Sequence, residues 1–356
     1  MANKSSRTVL IVGNWNWEVY EEAVAAGFRA NNWIVDKFNY RDYLKDSKLN
    51  NLQVRLKNGP AIEKINLLLR ERVTERSPEV ILFIRTDLIF SKTLKYLKQE
   101  NPNITLILYH NDNPYVGLKN QIKWRHYLRS VRFADITLLY RPSDIKAAQR
   151  LDAKKTALFL PNYISFQHQA DRTAKKINDV VFIGHYDEER ARIIDYLLKH
   201  HINIKIYGQR WKNAKKSKQL SARSIKIVLG NEYVRVLNSS KIALVFLSKK
   251  NQDVYTRRCF EIPACGTMMI APRTRELGTF FEDLKEAVFY DSKEDLLEKI
   301  TYYLSHDAER QLIAAAGRER CLKDGHDEVS RVAQLIELIE EVKGEKMRSN
   351  GKLLQG

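Results

Sequence analysis

The feature that most limits what this chain can fold into is a recurrence. A short apolar, β-branched run is followed by a polar turn and then by a helical pattern, again and again. Residues 8–12, Thr-Val-Leu-Ile-Val, stop at Gly13-Asn-Trp-Asn-Trp17, and a helix pattern follows over 18–31. Runs of the same kind occupy 33–38, 79–84, 104–109, 136–140 and 156–160. Helical patterns fall at 62–76 after a polar stretch, at 91–99, at 118–131 and after Ser143. Short buried strands separated by helices predict a parallel sheet covered on both faces. The pattern pauses at 167–178, a polar and basic stretch with no apolar period, and then restarts. Strands are expected at 179–183, 202–207, 225–229, 242–247, 268–271 and 287–290, and helices at 188–200, 232–238, 255–264, 292–305, 307–320 and 327–343.

The expected class is therefore α/β, with two doubly wound domains facing a cleft. The first spans 1–166, a linker 167–178, and the second 179–326. A terminal helix, 327–343, is expected to pack back on the first domain, ahead of a polar tail at 344–356. The length of 356 residues fits two domains at roughly 150 residues each. Ligands in such folds sit outside the carboxyl ends of the strands. This rule puts Gly13, Asn14 and Trp15, Asp87, the segment 110–113, Gly184 to Tyr186, Gly208 and the segment 248–258 around the cleft.

Composition removes several classes. Apolar residues make up 44% and charged residues 29%, ordinary globular usage, which excludes a disordered chain or a disulfide scaffold. No apolar run approaches the roughly 20 residues of a spanning helix. The first seven residues lead into a strand without a signal-peptide core. Three cysteines, Cys259, Cys265 and Cys321, show no metal-ligand spacing and suit a reducing compartment. A cytoplasmic location is expected, with attachment to the inner face of the membrane left open. The formal net charge is +18. Two stretches lack acids altogether, 116–133 and 209–226. The first interleaves Lys119, Lys123, Arg125, Arg129 and Arg132 with Ile122, Trp124, Tyr127, Leu128 and Val131. Such stretches are either solvated surface or sites for lipid headgroups, nucleic acid or a phosphorylated substrate.

The turns carry the chemistry. Gly13 is the only glycine of its strand-to-helix turn, so the three-glycine dinucleotide fingerprint is absent, and so is a Walker loop. Gly184-His185-Tyr186-Asp187 is a second such turn, where a missing Cβ either admits a phosphate to the following amides or simply allows tight packing. Around Tyr255-Thr-Arg-Arg-Cys-Phe-Glu261, Thr256, Arg257 and Arg258 are expected at a helix start, a setting that suits a diphosphate. Glu261 then either bonds a ribose diol or forms an i,i+3 ion pair with Arg258. At predicted strand ends Asp87, His110 and Asp112 are the candidates for a general base. Asp112 is favoured, against the alternative of an Asx turn ahead of Pro114.

The segment Asp253-Val-Tyr-Thr-Arg-Arg-Cys-Phe-Glu-Ile-Pro-Ala-Cys-Gly266 resembles the donor-site signature of the spore-maturation (CgeB-like) glycosyltransferases. Segments 272–277, 281–291 and 296–304, together with 179–187 and 206–211, extend the likeness over about 179–335. The first domain matches only in the order of its elements and in Asp112-Asn-Pro114. The resemblance implies a fold of two Rossmann-like domains, the GT-B type, with a nucleotide sugar on the second domain and the acceptor on the first. It implies no cofactor and no metal. Glu261 matches the glutamate that holds the ribose. Thr256 and Arg258 match positions facing the phosphates, Gly184 the first donor loop, and Tyr207 and Gly208 the strand end near the base. His185, Tyr186, Tyr255 and Arg257 flank these positions. In many related retaining enzymes a second glutamate precedes the ribose-binding one by eight residues. Here Asp253 stands there and joins Asp112 and His110 as a catalytic candidate, which leaves the stereochemical outcome open. The expected function is metal-independent sugar transfer from a nucleotide-diphosphate sugar to a hydroxyl of a glycan, lipid-linked or protein acceptor. The alternatives are a catalytically silent protein of this fold that binds an anionic membrane or nucleic acid, the latter a disfavoured partner, and a sugar-nucleotide epimerase.

Overall fold

The structure, a computed structural model, describes residues 7–214 and 217–353. The chain divides into two compact units, one of residues 1–160 with 328–356 and the other of residues 161–327.

The first unit is a six-stranded parallel sheet. Its strands are β1 (Thr8–Gly13), β2 (Ile34–Asn39), β3 (Val80–Ile84), β4 (Thr105–His110), β5 (Ile136–Leu139) and β6 (Lys155–Leu158), in the order β2-β1-β3-β4-β5-β6. Every residue of β3 and β4 is buried. Both faces of these strands are covered by helices, so both side-chain rows must be apolar, which is why the strands read as unbroken apolar runs. On one face Leu10, Val12, Ile81, Phe83, Leu106 and Leu108 pack with Ile62, Leu69, Leu94 and Leu97. The order reverses between β1 and β3, so the loops after these two strands open the crevice where such sheets take ligands.

The second unit repeats the plan with five parallel strands: β7 (Asn178–Ile183), β8 (Ile204–Tyr207), β9 (Ser240–Leu244), β10 (Met268–Pro272) and β11 (Val288–Tyr290). Their order is β11-β10-β9-β7-β8, and the reversal falls between β7 and β9. Val180, Phe182, Ile204, Ile206, Ile242 and Leu244 form one side of its core against Ile194, Leu197 and Ile300.

Several elements differ from expectation. No strand forms at 225–229; Ile227 and Leu229 are exposed there, and the Lys226 carbonyl instead accepts from the Gly208 amide. The helix expected at 118–131 breaks at Trp124 into Leu118–Lys123 and Arg125–Ser130, followed by a short turn, Val131–Phe133. Trp124 leaves helical geometry because its ring is needed in the core beside Tyr127. The polar stretch before Ile62 holds a separate helix, Lys48–Leu56, capped by the Ser47 hydroxyl. The helix expected from residue 255 begins at Arg258. The segment 167–178 is tied to the second unit, since Asn238 accepts from the Asp171 amide and donates to the Gln169 carbonyl. The terminal helix runs Glu328–Leu353, through most of the segment expected as a tail, and packs on the helix Ala23–Ala30. Lys215 and Lys216 of the second acid-free stretch, and residues 354–356, lie outside the described residues. Among the described residues no helix is long and apolar enough to cross a membrane.

Candidate functional site

In the second unit, β7 ends at Ile183 and the chain turns through Gly184-His185-Tyr186-Asp187 into the helix Glu188–Lys199. The turn is pressed onto the next strand end. Gly184 N donates to the Tyr207 carbonyl at 2.8 Å, and Tyr186 N to the Gln209 carbonyl at 2.8 Å. Gly208 has φ +135°, and a Cβ there would stand 2.0 Å from the Gly184 carbonyl oxygen, so only glycine fits this crossing. Gly184 itself clears the Phe182 ring, which a Cβ would approach to 2.6 Å. The two glycines thus serve the close approach of two strand ends. The helix start that follows is already occupied, because Asp187 accepts from the Glu189 amide at 3.0 Å. Tyr207 lines a groove of about 660 Å³ with Asn231, Glu232 and Arg235, apart from the arginines described next.

Those arginines are the core of the site. Arg190 lies in the first turn of the helix Glu188–Lys199 and is buried beside Ala191 and Ile194. It donates to the His185 carbonyl at 3.3 Å, and its Nε has no partner. Arg258 opens the helix after β9, and its buried Nε also has no partner. Among the described residues neither guanidinium forms an ion pair. Burial, and then the charge of Arg258, lower the Arg190 pKa. His185 is lowered too, by burial first and then by Arg190, Arg258 and Arg210. Three guanidinium groups thus act on a neutral imidazole, and Asp187, Asp253 and Glu189 offset part of that charge without an ion pair to Arg190 or Arg258 among the described residues. Such a group of fork-shaped donors matches phosphate oxygens.

Glu261 sits one turn further along the helix. The i,i+3 pair with Arg258, the alternative to a ribose contact, does not form; Arg257, four residues before Glu261, instead donates through Nε to Glu261 Oε1 at 3.0 Å. The Tyr233 hydroxyl donates to Oε2 at 2.8 Å, and His168 Nε2 stands 4.0 Å from Oε1. Burial alone would raise the Glu261 pKa, but Arg257, His168, Arg258 and the Tyr233 hydroxyl outweigh it and hold the carboxyl at about 2. Tyr255 is buried, edge-on to Phe280 at 5.6 Å. The Thr256 carbonyl accepts from the Cys259 amide, and the Asp253 amide donates to the Ser248 carbonyl. Asp253 lies close enough to Arg190 to raise its pKa.

The first unit has its own polar cluster at the ends of β1, β3 and β4. Arg85, just after β3, adopts φ +51°, a conformation non-glycine residues take only under constraint. Its Nη2 donates to Asp112 Oδ2 at 3.1 Å. Burial opposes ionisation of Asp112, but Arg85, His110 and Lys123 outweigh it and lower its pKa. Lys57 pairs with Asp87, and the Tyr40 hydroxyl lies 3.5 Å from the same carboxylate. His110 is buried, with ring centroids 4.0 Å from Trp124 and 4.9 Å from Tyr127. Burial pushes its pKa down to about 3, and its Nδ1 lies 3.1 Å from the Asp112 carbonyl, so it donates there and shapes the loop. Gly13 lacks a Cβ where one would stand 2.5 Å from Glu21 Oε1, the oxygen that accepts from the Asn14 amide at 3.1 Å. Glu21 comes from a π-helical turn, Glu18–Glu22, and burial raises its pKa against the backbone amides that lower it. Trp15 adopts φ +51°, and Lys37 Nζ lies 4.4 Å from its ring centroid.

The structure therefore brings Gly184, His185 and Arg258 together, sets Glu261 behind them, and gathers Asp87, Asp112, Gly13 and Asn14 in the first unit. Arg190, Tyr233, His168, Glu21 and Arg85 are absent from the sequence-based candidates. Arg190 leaves one signal. It falls on the apolar row 190, 194, 197 of its helix, where a charged residue must be buried. His168 leaves none, since it lies in the segment taken for a linker. Among the described residues no group of three or more His, Cys, Asp or Glu side chains is placed to hold a metal ion.

Residues 189–337 match the model of a family described as glycosyl transferase-like, a segment that contains both arginines and Glu261. No curated protein matches the sequence. Among solved structures, sucrose-phosphate synthase from Thermosynechococcus elongatus superposes with a TM-score of 0.70 at 10% identity, over 95% of this chain and 100% of that one. HepE from Anabaena, solved with UDP-glucose, gives a TM-score of 0.65 at 12% identity over 94% and 99%. The trehalose 6-phosphate synthase from Burkholderia multivorans gives 0.60 at 9% identity over 96% and 100%. This chain thus has the two-unit α/β fold of the GT-B glycosyltransferases, and most of its glycosyl transferase-like segment, 189–327, falls in the second unit.

Proposed function

We propose that the protein is a glycosyltransferase that takes a sugar from a nucleotide-diphosphate donor held by its second unit and passes it to a hydroxyl of an acceptor held by its first. The observation that carries this reading is the pair Arg190, buried, and Arg258, half-buried, at the strand ends of the second unit, whose Nε atoms have no hydrogen-bond partner and which form no ion pair among the described residues. A diphosphate supplies the missing charge. As the glycosidic bond breaks, negative charge grows on the leaving phosphate, and preorganised cations stabilise it most at that moment. Glu261 is ionised at neutral pH. A carboxylate has about four lone-pair sites, so it retains acceptor capacity for ribose hydroxyls beyond its two protein donors. In the first unit Asp112 is ionised and partly exposed, and it is the carboxylate assigned to the acceptor hydroxyl; His110 holds its loop. Asp253 is read as facing the donor beside Arg190, and no cofactor beyond the donor is assigned. The acceptor is read as a glycan, lipid-linked or protein hydroxyl, met in the cytoplasm. The buried free thiols Cys259, Cys265 and Cys321 agree with a reducing compartment.

UDP-glucose, present in the HepE structure, is the first donor to try. The test is a thermal-shift screen of UDP-, GDP-, dTDP- and CDP-sugars. A true donor at 100 times its Kd adds about 2.7 kcal/mol of stability. A rise with one nucleotide, lost in Arg258→Ala, supports the assignment. No rise with any of them at millimolar concentration overturns it.

A further inference from the structure

We infer that the first unit docks on an anionic phospholipid surface through the helices Lys48–Leu56 and Leu118–Lys123. The basic stretch 116–133 by itself does not make such a face, because Trp124, Tyr127 and Val131 turn into the core and Ile122 alone of its larger apolar side chains from 122 to 131 is exposed. A second helix completes it. Leu49, Leu52 and Leu56 recur at i, i+3 and i+7, which puts them on one side of the helix Lys48–Leu56. That side faces solvent. These leucines, with Leu118 and Ile122 of the other helix, are 51–72% exposed. The end of the first helix is fastened to the residues just after the second. Arg125 Nη2 donates to the Leu56 carbonyl and, at 3.3 Å, to the Lys57 carbonyl, while His126 Nε2 lies 2.8 Å from the same Lys57 oxygen.

An amphipathic helix ordinarily turns its apolar row to the core. Here Gln53 is buried and three leucines are not. Clustered apolar side chains rimmed by polar ones mark an interaction surface. The rim identifies the partner. Lys48 and Arg55 flank the leucine row at i−1 and i+6 from Leu49, and Lys119 stands beside Leu118; all three are exposed, whereas the Lys123 ammonium lies 4.3 Å from the Trp124 ring centroid. No acid occurs in 47–59 or in 116–133. Leucines that enter the acyl boundary, with lysines and arginines at the headgroup level, describe a helix pair lying in an anionic interface. This inference rests on neither arginine of the second unit and does not depend on the donor reading.

The test is co-sedimentation of the full chain with vesicles of phosphatidylcholine and phosphatidylglycerol, 3:1, and with vesicles of phosphatidylcholine alone, at 0.15 M salt, where screening extends over about 8 Å. The parent is expected to bind the anionic vesicles at least about tenfold more tightly than the neutral ones. Each cation near such a surface is worth about fivefold, so Lys48→Glu with Lys119→Glu should weaken binding by about 25-fold or more. Leu52→Ser with Ile122→Ser should cost at least about tenfold by removing apolar area. All four positions are exposed, so circular dichroism melting curves should match the parent. Three results would overturn the inference: no binding of the parent to anionic vesicles, equal binding by either double variant, or a parent dimer in sedimentation equilibrium that Leu52→Ser abolishes, which would make the face a contact between copies. Binding to a 20-nucleotide single-stranded DNA that exceeds vesicle binding and is lost in the lysine variant also overturns it.

Discussion

At the ends of β1, β3 and β4 the charges come in pairs: Arg85 with Asp112, and Lys57 with Asp87. At the ends of β7 and β9 Lys249 pairs with Glu189 and Arg257 with Glu261, but among the described residues Arg190 and Arg258, which share one neighbourhood with His185, form no ion pair. The two units are built on the same strand plan, so the contrast lies in the loops. A balanced cluster offers hydrogen bonds without net charge and suits a neutral, hydroxyl-bearing acceptor. A cluster with excess positive charge is stable only at the cost of mutual repulsion, and a bound diphosphate relieves it. Electrostatics at the strand ends thus separates the roles of two units that topology alone makes alike.

Substitutions at five positions can break or sharpen this contrast. The largest effect is expected from Arg190→Ala combined with Arg258→Ala. A hydrogen bond to a charged group is worth about 1.5–3 kcal/mol, so the pair should weaken binding of the nucleotide diphosphate by roughly two to four orders of magnitude in calorimetry. The ligand-free melting temperature should hold or rise, because a repulsion is removed. A fall in melting temperature with affinity unchanged would mean that these guanidiniums are structural.

Glu261→Ala should come next. It leaves Arg257 buried without its carboxylate, and breaking such a pair costs about 3–5 kcal/mol. Chemical denaturation should show that loss, and donor binding should fall with it. The pH dependence follows from the depressed pKa. The Glu261 carboxyl titrates at about 2 in the folded protein, against an ordinary value of 4.5. Its contribution is therefore complete above about pH 4.5 and drains away as pH falls toward 2. Glu261→Gln should flatten that part of the acid-stability curve. An unchanged curve would refute the ionised state.

Asp112→Asn, in the balanced cluster, should lower the rate of transfer by about 100-fold, the lower end for a general base, and leave donor affinity intact. Loss of donor affinity would break the separation of roles. The smallest effect on the donor site is expected from Lys57→Met, which removes the cation of a largely buried pair and leaves Asp87 without it. Stability should fall by about 1–3 kcal/mol, and nucleotide affinity should not change. A large loss of nucleotide affinity would place the diphosphate in the first unit.

The candidate site was legible in the sequence where a turn or a local spacing carries the information. Gly13 and Gly184 end apolar runs, and Arg258 and Glu261 share one short helix, so each is visible from its neighbours in the chain. The i,i+3 partnership of Arg258 with Glu261 was also a local inference, and it failed. Which of two adjacent arginines covers a carboxylate depends on Tyr233 and His168, which approach from 28 and 93 residues away in the chain. The helix break at Trp124 has the same origin, since the indole is drawn into a core built by distant strands.

By itself the sequence determined the repeated strand–turn–helix plan, the parallel sheets and the loops at their ends. Those follow from side-chain periodicity and from the few conformations open to glycine and to β-branched residues, which are properties of short segments. The tertiary structure decided which charges are paired. Arg85 meets Asp112 across 27 residues, Arg257 takes Glu261, and Arg190 and Arg258 are left close enough to repel each other, without an ion pair among the described residues. It also turned the leucines of Lys48–Leu56 outward, because the inner side of that helix is taken by Gln53, which accepts from the Ala61 amide, and by Val54, which packs on the core. Burial and charge compensation are properties of a place in the fold, and the chain supplies that place only once its two sheets have closed over their cores.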